Sequence, residues 1–149
     1  MTQTSSVAAL SISPRPASSA IVERNGRYLL IRRRNPPAAD LYAFPGGRAE
    51  PGETPAQTAI RELLEETGLV GTNPRLFATY DLKPETEGRA DMHFFLSVFL
   101  VDVVGRDEAI ADSDAADAGW YSLDEICTLP VPPSVRECAE RLASARKSG

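Results

Sequence analysis

Apolar and polar positions alternate in two different periods along this chain, and the change of period marks its elements. The runs "SSAIVER" and "RYLLIRR" flank Asn25-Gly26, the dipeptide that best tolerates the positive φ angles of a type I′ hairpin turn. They predict two antiparallel strands over 17–23 and 27–33. "RLFATYDL" (75–82) and "HFFLSVFLVDV" (93–103) read as two more strands, the second apolar enough to be central in a sheet. Between these pairs the period lengthens. At 100° per residue, Ala56, Ala59, Ile60, Leu63 and Leu64 fall within an arc of about 140°, the stripe of a helix with one packed face. Thr54-Pro55-Ala56-Gln57 marks its start as a capping box with proline at the first helical position, and Gly68 marks its end. Ser122 and Glu125 make a second capping box for a short helical turn, and a last helix is expected from Ser134 to Arg146, after the Pro132-Pro133 break.

The intervening segments have their own character. "NPPAADLYAFPGGRAEPGE" is too dense in proline and glycine for a regular element and reads as a long structured loop, a kind that usually serves function. A second loop, 104–119, is acidic, with Asp107, Glu108, Asp112, Asp114 and Asp117. Residues 1–16 show no sustained periodicity and are expected to form a loose leader before a single domain over 17–149. A chain of 149 residues with 42% hydrophobic composition suits one ordinary core. No apolar run approaches the length of a membrane span, and the N-terminus lacks the basic start and apolar centre of a secretory signal. The expectation is a cytoplasmic protein with no membrane partner.

With 16 basic residues against 21 acidic ones, the net charge of −5 argues against general affinity for nucleic-acid phosphates. Phosphates bridged by metal ions remain compatible with it. Cys127 and Cys138 lack a CxxC or Cys/His pattern and read as reduced, partly buried thiols.

Candidate chemistry concentrates in "RELLEETG". Glu62, Glu65 and Glu66 share an arc of about 100°, apart from the apolar stripe, and neighbouring like charges on a helix repel by a few tenths of a kcal/mol per pair, roughly. A hard divalent cation offsets such repulsion, because Mg²⁺ takes oxygen ligands and often completes its shell with substrate phosphates. Carboxylates without histidine or cysteine point to magnesium or manganese rather than zinc. Taken alone, the same pattern also fits a solvated acidic helix face.

The flanking residues separate these readings. From Gly47 the chain runs "GRAEPGETPAQTAIRELLEETGL": Gly, five residues, Glu, seven residues, Arg-Glu, an aliphatic, any residue, Glu-Glu, any residue, Gly, an aliphatic. This resembles the Nudix box at every fixed position, through Gly47, Glu53, Arg61, Glu62, Leu63, Glu65, Glu66, Gly68 and Leu69. "LYAFPGG" before it and "GWYSLDEI" after it extend the resemblance to most of residues 17–126, and within the family the chain is most similar to ADP-ribose pyrophosphatase-like members. The resemblance implies an α/β fold, an α/β/α sandwich around a mixed β-sheet with a catalytic loop–helix–loop. It implies metal-dependent hydrolysis of a pyrophosphate bond, with Mg²⁺ as cofactor and Mn²⁺ as a substitute. Glu62, Glu65 and Glu66 would be metal ligands, joined by a backbone carbonyl of Gly47 or its neighbour Gly46, and Glu53 would pair with Arg61 to brace the loop against the helix. The proton of the attacking water would go to Glu62 or Glu66 within the box, or to Glu108, Asp114 or Asp117 in the acidic loop. Asp117 is favoured among the loop acids because it lies just before "GWYSLDEI".

Substrate-facing residues are sought around the box. Arg32, Arg33 and Arg34 end a strand whose alternation turns Arg33 to the face opposite its neighbours; at least one of the three is expected to meet a substrate phosphate or carboxylate, and Arg33 is the candidate. Tyr42 and Phe44 are candidates to stack on a base or ribose. Pro84 stands fifteen residues after Leu69, close to where ADP-ribose pyrophosphatases of the family carry a proline. His93, the one histidine, lacks a nucleophile partner motif and is expected to be structural. The partner is therefore a small nucleotide, ADP-ribose or a related nucleoside diphosphate sugar first. The alternatives are a modified (deoxy)nucleoside triphosphate and, in another class, a sensing module without turnover. A homodimer is an assembly to test, since related ADP-ribose enzymes often build the pocket across one.

Overall fold

Asn25 and Gly26 take φ angles of 55° and 77°, and the chain reverses there between β2 (Glu23–Arg24) and β3 (Arg27–Arg33). The coordinates are those of a computed structural model, which describes residues 14–34, 39–84, 88–89, 92–105 and 108–148. Most of the expected leader, residues 1–13, lies outside the described residues, as do positions 35–38 of the expected long loop.

The strand expected over 17–23 is divided between two sheets. Its first part, β1 (Arg15–Ile21), starts earlier than expected, where Arg15 N–H donates to the carbonyl of His93 at 2.8 Å. Its last residues, β2, belong with β3. The first sheet runs β5 (Gly46–Arg48), β1, β7 (Phe94–Val103), β6 (Gly71–Leu82), with β1 and β7 parallel and the other pairs antiparallel. In the second, β3 pairs with β2 and β4 (Tyr42–Ala43) and also with β8 (Ala115–Tyr121). Residues 115–119, expected within an acidic loop, are therefore strand. Their small side chains show little strand propensity, and pairing with β3 imposes the conformation.

Alternation sends neighbouring side chains to two cores. Ala20, Val22, Leu29, Phe99 and Val101 pack with Ala59 and Leu63 of α1 (Pro55–Thr67). Ile21, Tyr28, Leu30, Phe44 and Val98 face the other way, against Ile126 of α2 (Leu123–Ile126) and Val135, Cys138 and Ala139 of α3 (Pro133–Ser148). Mixed sheet and flanking helices form an α/β sandwich. Both cysteines are free; Cys138 is buried and Cys127 exposed rather than partly buried. Among the described residues, no helix is long and apolar enough to cross a membrane.

Local signals set α1. Thr54 Oγ1 accepts from Gln57 N–H at 3.2 Å, Gln57 Oε1 accepts from Thr54 N–H at 2.9 Å, and such a cap contributes about 1 kcal/mol. Gly68 closes the helix at φ 78° and donates to the carbonyl of Leu64. The short strand β5 pairs with β1, Gly47 opposite Ser18 and Gly46 opposite Ser19, which sets two glycines against the glutamates of α1.

Candidate active site

Arg61 organises the loop before α1. Its Nε–H donates to Glu53 Oε2 at 2.6 Å and an Nη2–H to Glu53 Oε1 at 3.0 Å, a bidentate pair. Nη2 also reaches the carbonyl of Arg48 at 3.0 Å, and Nη1 reaches Glu62 and Glu65 at 3.1 Å each. All five guanidinium N–H groups thus have acceptors. Glu53 also accepts from Glu50 N–H at 2.9 Å and Thr58 Oγ1 at 2.7 Å. The hydrogen bonds from Arg61, above all, hold the Glu53 carboxyl at about 2. A carboxylate so fully engaged braces the loop; it is not poised to take a proton.

One helical turn on, Glu66 is only 2% exposed, and its Oε1 accepts from Gly46 N–H at 3.0 Å. Burial first, and then the charge of Glu62, push Glu66 up to about 8, against the pull of the Gly46 amide and Arg33. Burial also raises Glu62, opposed by Arg61 and reinforced by Glu65. Gly47 approaches Glu62 so closely that a Cβ there would lie 2.7 Å from Glu62 Cδ. Among the described residues these acids do not already converge on one point as a metal cage, and Arg61 draws Glu62 and Glu65 toward itself. The donor chemistry, carboxylate and carbonyl oxygens with no imidazole or thiolate, fits a hard divalent cation.

The acidic loop closes over the end of α1. Ile110 N–H donates to the carbonyl of Thr67 at 2.9 Å and Asp112 N–H to that of Glu66 at 3.0 Å, and these bonds cap carbonyls the helix leaves unpaired. The charge of Asp114 acts on both Glu62 and Glu66. Asp117 is directed elsewhere: it is exposed, its Oδ1 accepts from Ala118 N–H at 2.9 Å, it sits opposite Arg32, and its charge bears on Tyr121. Asp114 stands in the turn just before β8, whereas Asp117 lies within the strand and is placed by its pairing with β3. Glu108 is exposed on the same loop.

On the far side of Gly46 and Gly47 lies a cavity of about 330 Å³. Arg33, Phe44, Arg48, Leu82, Phe94 and Leu96 contribute to its wall. Of the residues expected at a substrate, Arg33, Phe44 and Gly47 line it, while Tyr42 and Pro84 do not. Tyr42 packs edge-on against Tyr121, with ring centroids 5.7 Å apart, and Pro84 is half-buried just beyond β6. Leu82 takes the place at the wall that was expected of Pro84. Arg48 was missed by sequence reasoning because it fills an unrestricted position of the motif; a cation directly after Gly47 was the available signal. His93 pairs with Asp81 at the strand edge.

A family model for the NUDIX domain matches residues 13–142. The chain is 36% identical over 120 residues to an ADP-ribose pyrophosphatase of Methanocaldococcus jannaschii, covering 80% of this chain and 69% of that protein. It is 29% identical over 112 residues to an NAD-capped RNA hydrolase of Pectobacterium atrosepticum, covering 75% of this chain and 40% of that one. A Mycobacterium tuberculosis protein, provisionally named 8-oxo-dGTP diphosphatase 3, is 30% identical over 133 residues, which cover 89% of this chain and 58% of its own. Among solved structures, a NUDIX hydrolase from Nitrosomonas europaea superposes with a TM-score of 0.76 at 29% identity, covering 89% of this chain and 90% of that one. A bifunctional NMN adenylyltransferase/ADP ribose pyrophosphatase from Francisella tularensis, complexed with AMP and a manganese ion, gives 0.72 at 28% identity, covering 94% of this chain and 45% of that one.

Proposed function

The chain belongs to the Nudix hydrolases, and from that premise we propose that it hydrolyses the pyrophosphate bond of a nucleoside diphosphate linked to another moiety, with ADP-ribose as the leading substrate. One observation carries the reading. A buried Glu66 stands beside Glu62 against Gly46 and Gly47, and the opposite side of those glycines walls an arginine-bearing cavity. Glutamates and cavity thereby address two ends of one ligand.

Glu62, Glu65 and Glu66, with a carbonyl of Gly46 or Gly47, would hold Mg²⁺, for which Mn²⁺ substitutes. When bound, such an ion offsets the charge of the diphosphate and lowers the pKa of a water. Arg33 donates to a diphosphate oxygen; its Nε–H is buried and meets no acceptor among the described residues, so an anion completes it. The Glu53–Arg61 pair fixes the glycine loop relative to α1. Glu62 or Asp114 takes the proton of the attacking water.

A Mg²⁺-dependent hydrolysis screen over ADP-ribose, other nucleoside diphosphate sugars, dinucleoside polyphosphates and nucleoside triphosphates, with products identified by mass, tests this. ADP-ribose should yield AMP and ribose 5-phosphate. Glu66→Gln, assayed beside it, should lose activity by at least about a hundredfold while staying folded; full activity in a folded variant overturns the metal assignment. The similarity to an 8-oxo-dGTP diphosphatase favours a second reading, a triphosphate cleaved to monophosphate and pyrophosphate, and the same product analysis separates the two.

A further inference from the structure

The cavity beyond Gly46 and Gly47 has a one-sided charge. Arg33 and Arg48 line it, and among the described residues no aspartate or glutamate does. This contrasts with the molecule's net charge of −5 and with the carboxylates on the other side of the same glycines. Without an acid in the wall, an aromatic face is the strongest side-chain device left for seating a cation, since the serine hydroxyls there carry no charge. Here that device is already engaged. The Arg48 guanidinium lies over the ring of Phe94, 5.6 Å from its centroid, and that of Arg15 lies over the same ring at 5.8 Å. Phe44, the other ring in the wall, is 5% exposed and packed into the core. A positively charged group entering the cavity would meet two guanidinium charges and, among the described residues, no acid in the wall, whereas a neutral or anionic group would meet hydrogen-bond donors.

We propose that this cavity selects the group beyond the diphosphate by charge, accepting neutral and anionic groups and turning away cationic ones, with Arg48 as a specificity-determining residue. The proposal rests on the reading of the chain as a pyrophosphatase and narrows its substrate class: nucleoside diphosphates joined to a sugar or another uncharged or acidic group fit, and those ending in a cationic ring or a quaternary amine do not.

The oxidised and reduced nicotinamide adenine dinucleotides test it, because they share one diphosphate and nearly one shape and differ by a positive charge on the nicotinamide ring. For the wild-type protein with Mg²⁺, kcat/KM should be about tenfold higher for NADH than for NAD⁺, the size expected of a like-charge contact near a partly solvated surface. Raising the salt concentration should shrink that ratio. Arg48→Gln should bring it toward one and Arg48→Glu should bring it below one. Neither change removes the Arg48 carbonyl that Arg61 holds at 3.0 Å, so the loop brace persists in both. Equal kcat/KM for the two dinucleotides, or a ratio unmoved by Arg48→Glu, overturns the proposal and leaves the pyrophosphatase reading intact. If neither dinucleotide is cleaved but ADP-ribose is, their inhibition constants against ADP-ribose hydrolysis take the place of kcat/KM, with the same ratio expected and equality overturning. If nothing is cleaved, the pyrophosphatase reading falls, and calorimetric dissociation constants of the two dinucleotides decide the charge rule: tighter binding of NADH sustains it, and equal or absent binding overturns it.

Discussion

Gly46 and Gly47 are adjacent, yet a side chain on each would strike a different kind of neighbour. A Cβ at Gly46 would lie 2.8 Å from Ser19 Cα, which is backbone of the central ladder, whereas at Gly47 it would press on the carboxyl end of Glu62. Backbone cannot give way cheaply and a side chain can. Gly46→Ala should therefore lower the urea midpoint by the equivalent of about 1–3 kcal/mol. Gly47→Ala should fold with a midpoint near wild type but lose about a hundredfold in kcat, because a displaced carboxylate no longer meets its reaction geometry. Unfolding curves measured alongside rates separate these outcomes; equal stability loss in both would contradict the distinction. The loop acids invite a similar comparison. Asp114→Asn removes a charge that bears on Glu62 and Glu66 and should lower kcat by about a hundredfold if Asp114 is the base. Asp117→Asn, whose side chain faces Arg32 and Tyr121, should leave kcat near wild type.

At the scale of elements, the loop and α1 act as one unit because Glu53 and Arg61 join them. Glu53 is held at about 2, below its ordinary 4.5, so its contribution to stability is full above the unfolded value and is lost as pH falls through the folded one. Glu53→Gln should thus lower the urea midpoint at pH 7, and the gap from wild type should close between pH 4.5 and 2. A gap independent of pH would mean that the pair contributes little through charge. This unit was readable in the sequence because its determinants are local: the Thr54 cap, Pro55, the stop at Gly68 and the spacing of Glu53 to Arg61 all lie within sixteen residues. What escaped reading depends on partners far along the chain. Whether Ile21 and Glu23 belong to one strand or two is decided by β7 and β3, and β8 becomes strand only where β3 pairs with it. The choice between Asp114 and Asp117 was hidden for the same reason, since the point where β8 begins, between the two, is set by pairing with β3 and leaves no periodic trace in "DSDAADAG".

Across the whole molecule, the folded state holds buried carboxylates at a cost that a cation can remove. Glu66 sits at about 8, above its ordinary 4.5, so without divalent metal it binds a proton more readily folded than unfolded. Its contribution is full below the unfolded value and is lost as pH rises through the folded one. Metal-free protein should therefore lose stability from pH 5 toward pH 8, and added Mg²⁺ should restore it, the gain growing over the same interval as the carboxylate becomes available. At a hundredfold excess of Mg²⁺ over its dissociation constant, the stabilisation should reach about 2.7 kcal/mol. Melting temperatures in MgCl₂, compared with KCl at matched ionic strength, measure it. Glu66→Gln supplies the control with opposite signs: an uncharged amide keeps an oxygen for the Gly46 amide, so the metal-free variant should be more stable than wild type at pH 8 while its response to Mg²⁺ is lost. A variant that responds to Mg²⁺ as fully as wild type would show that the ion binds away from the Glu66 carboxylate.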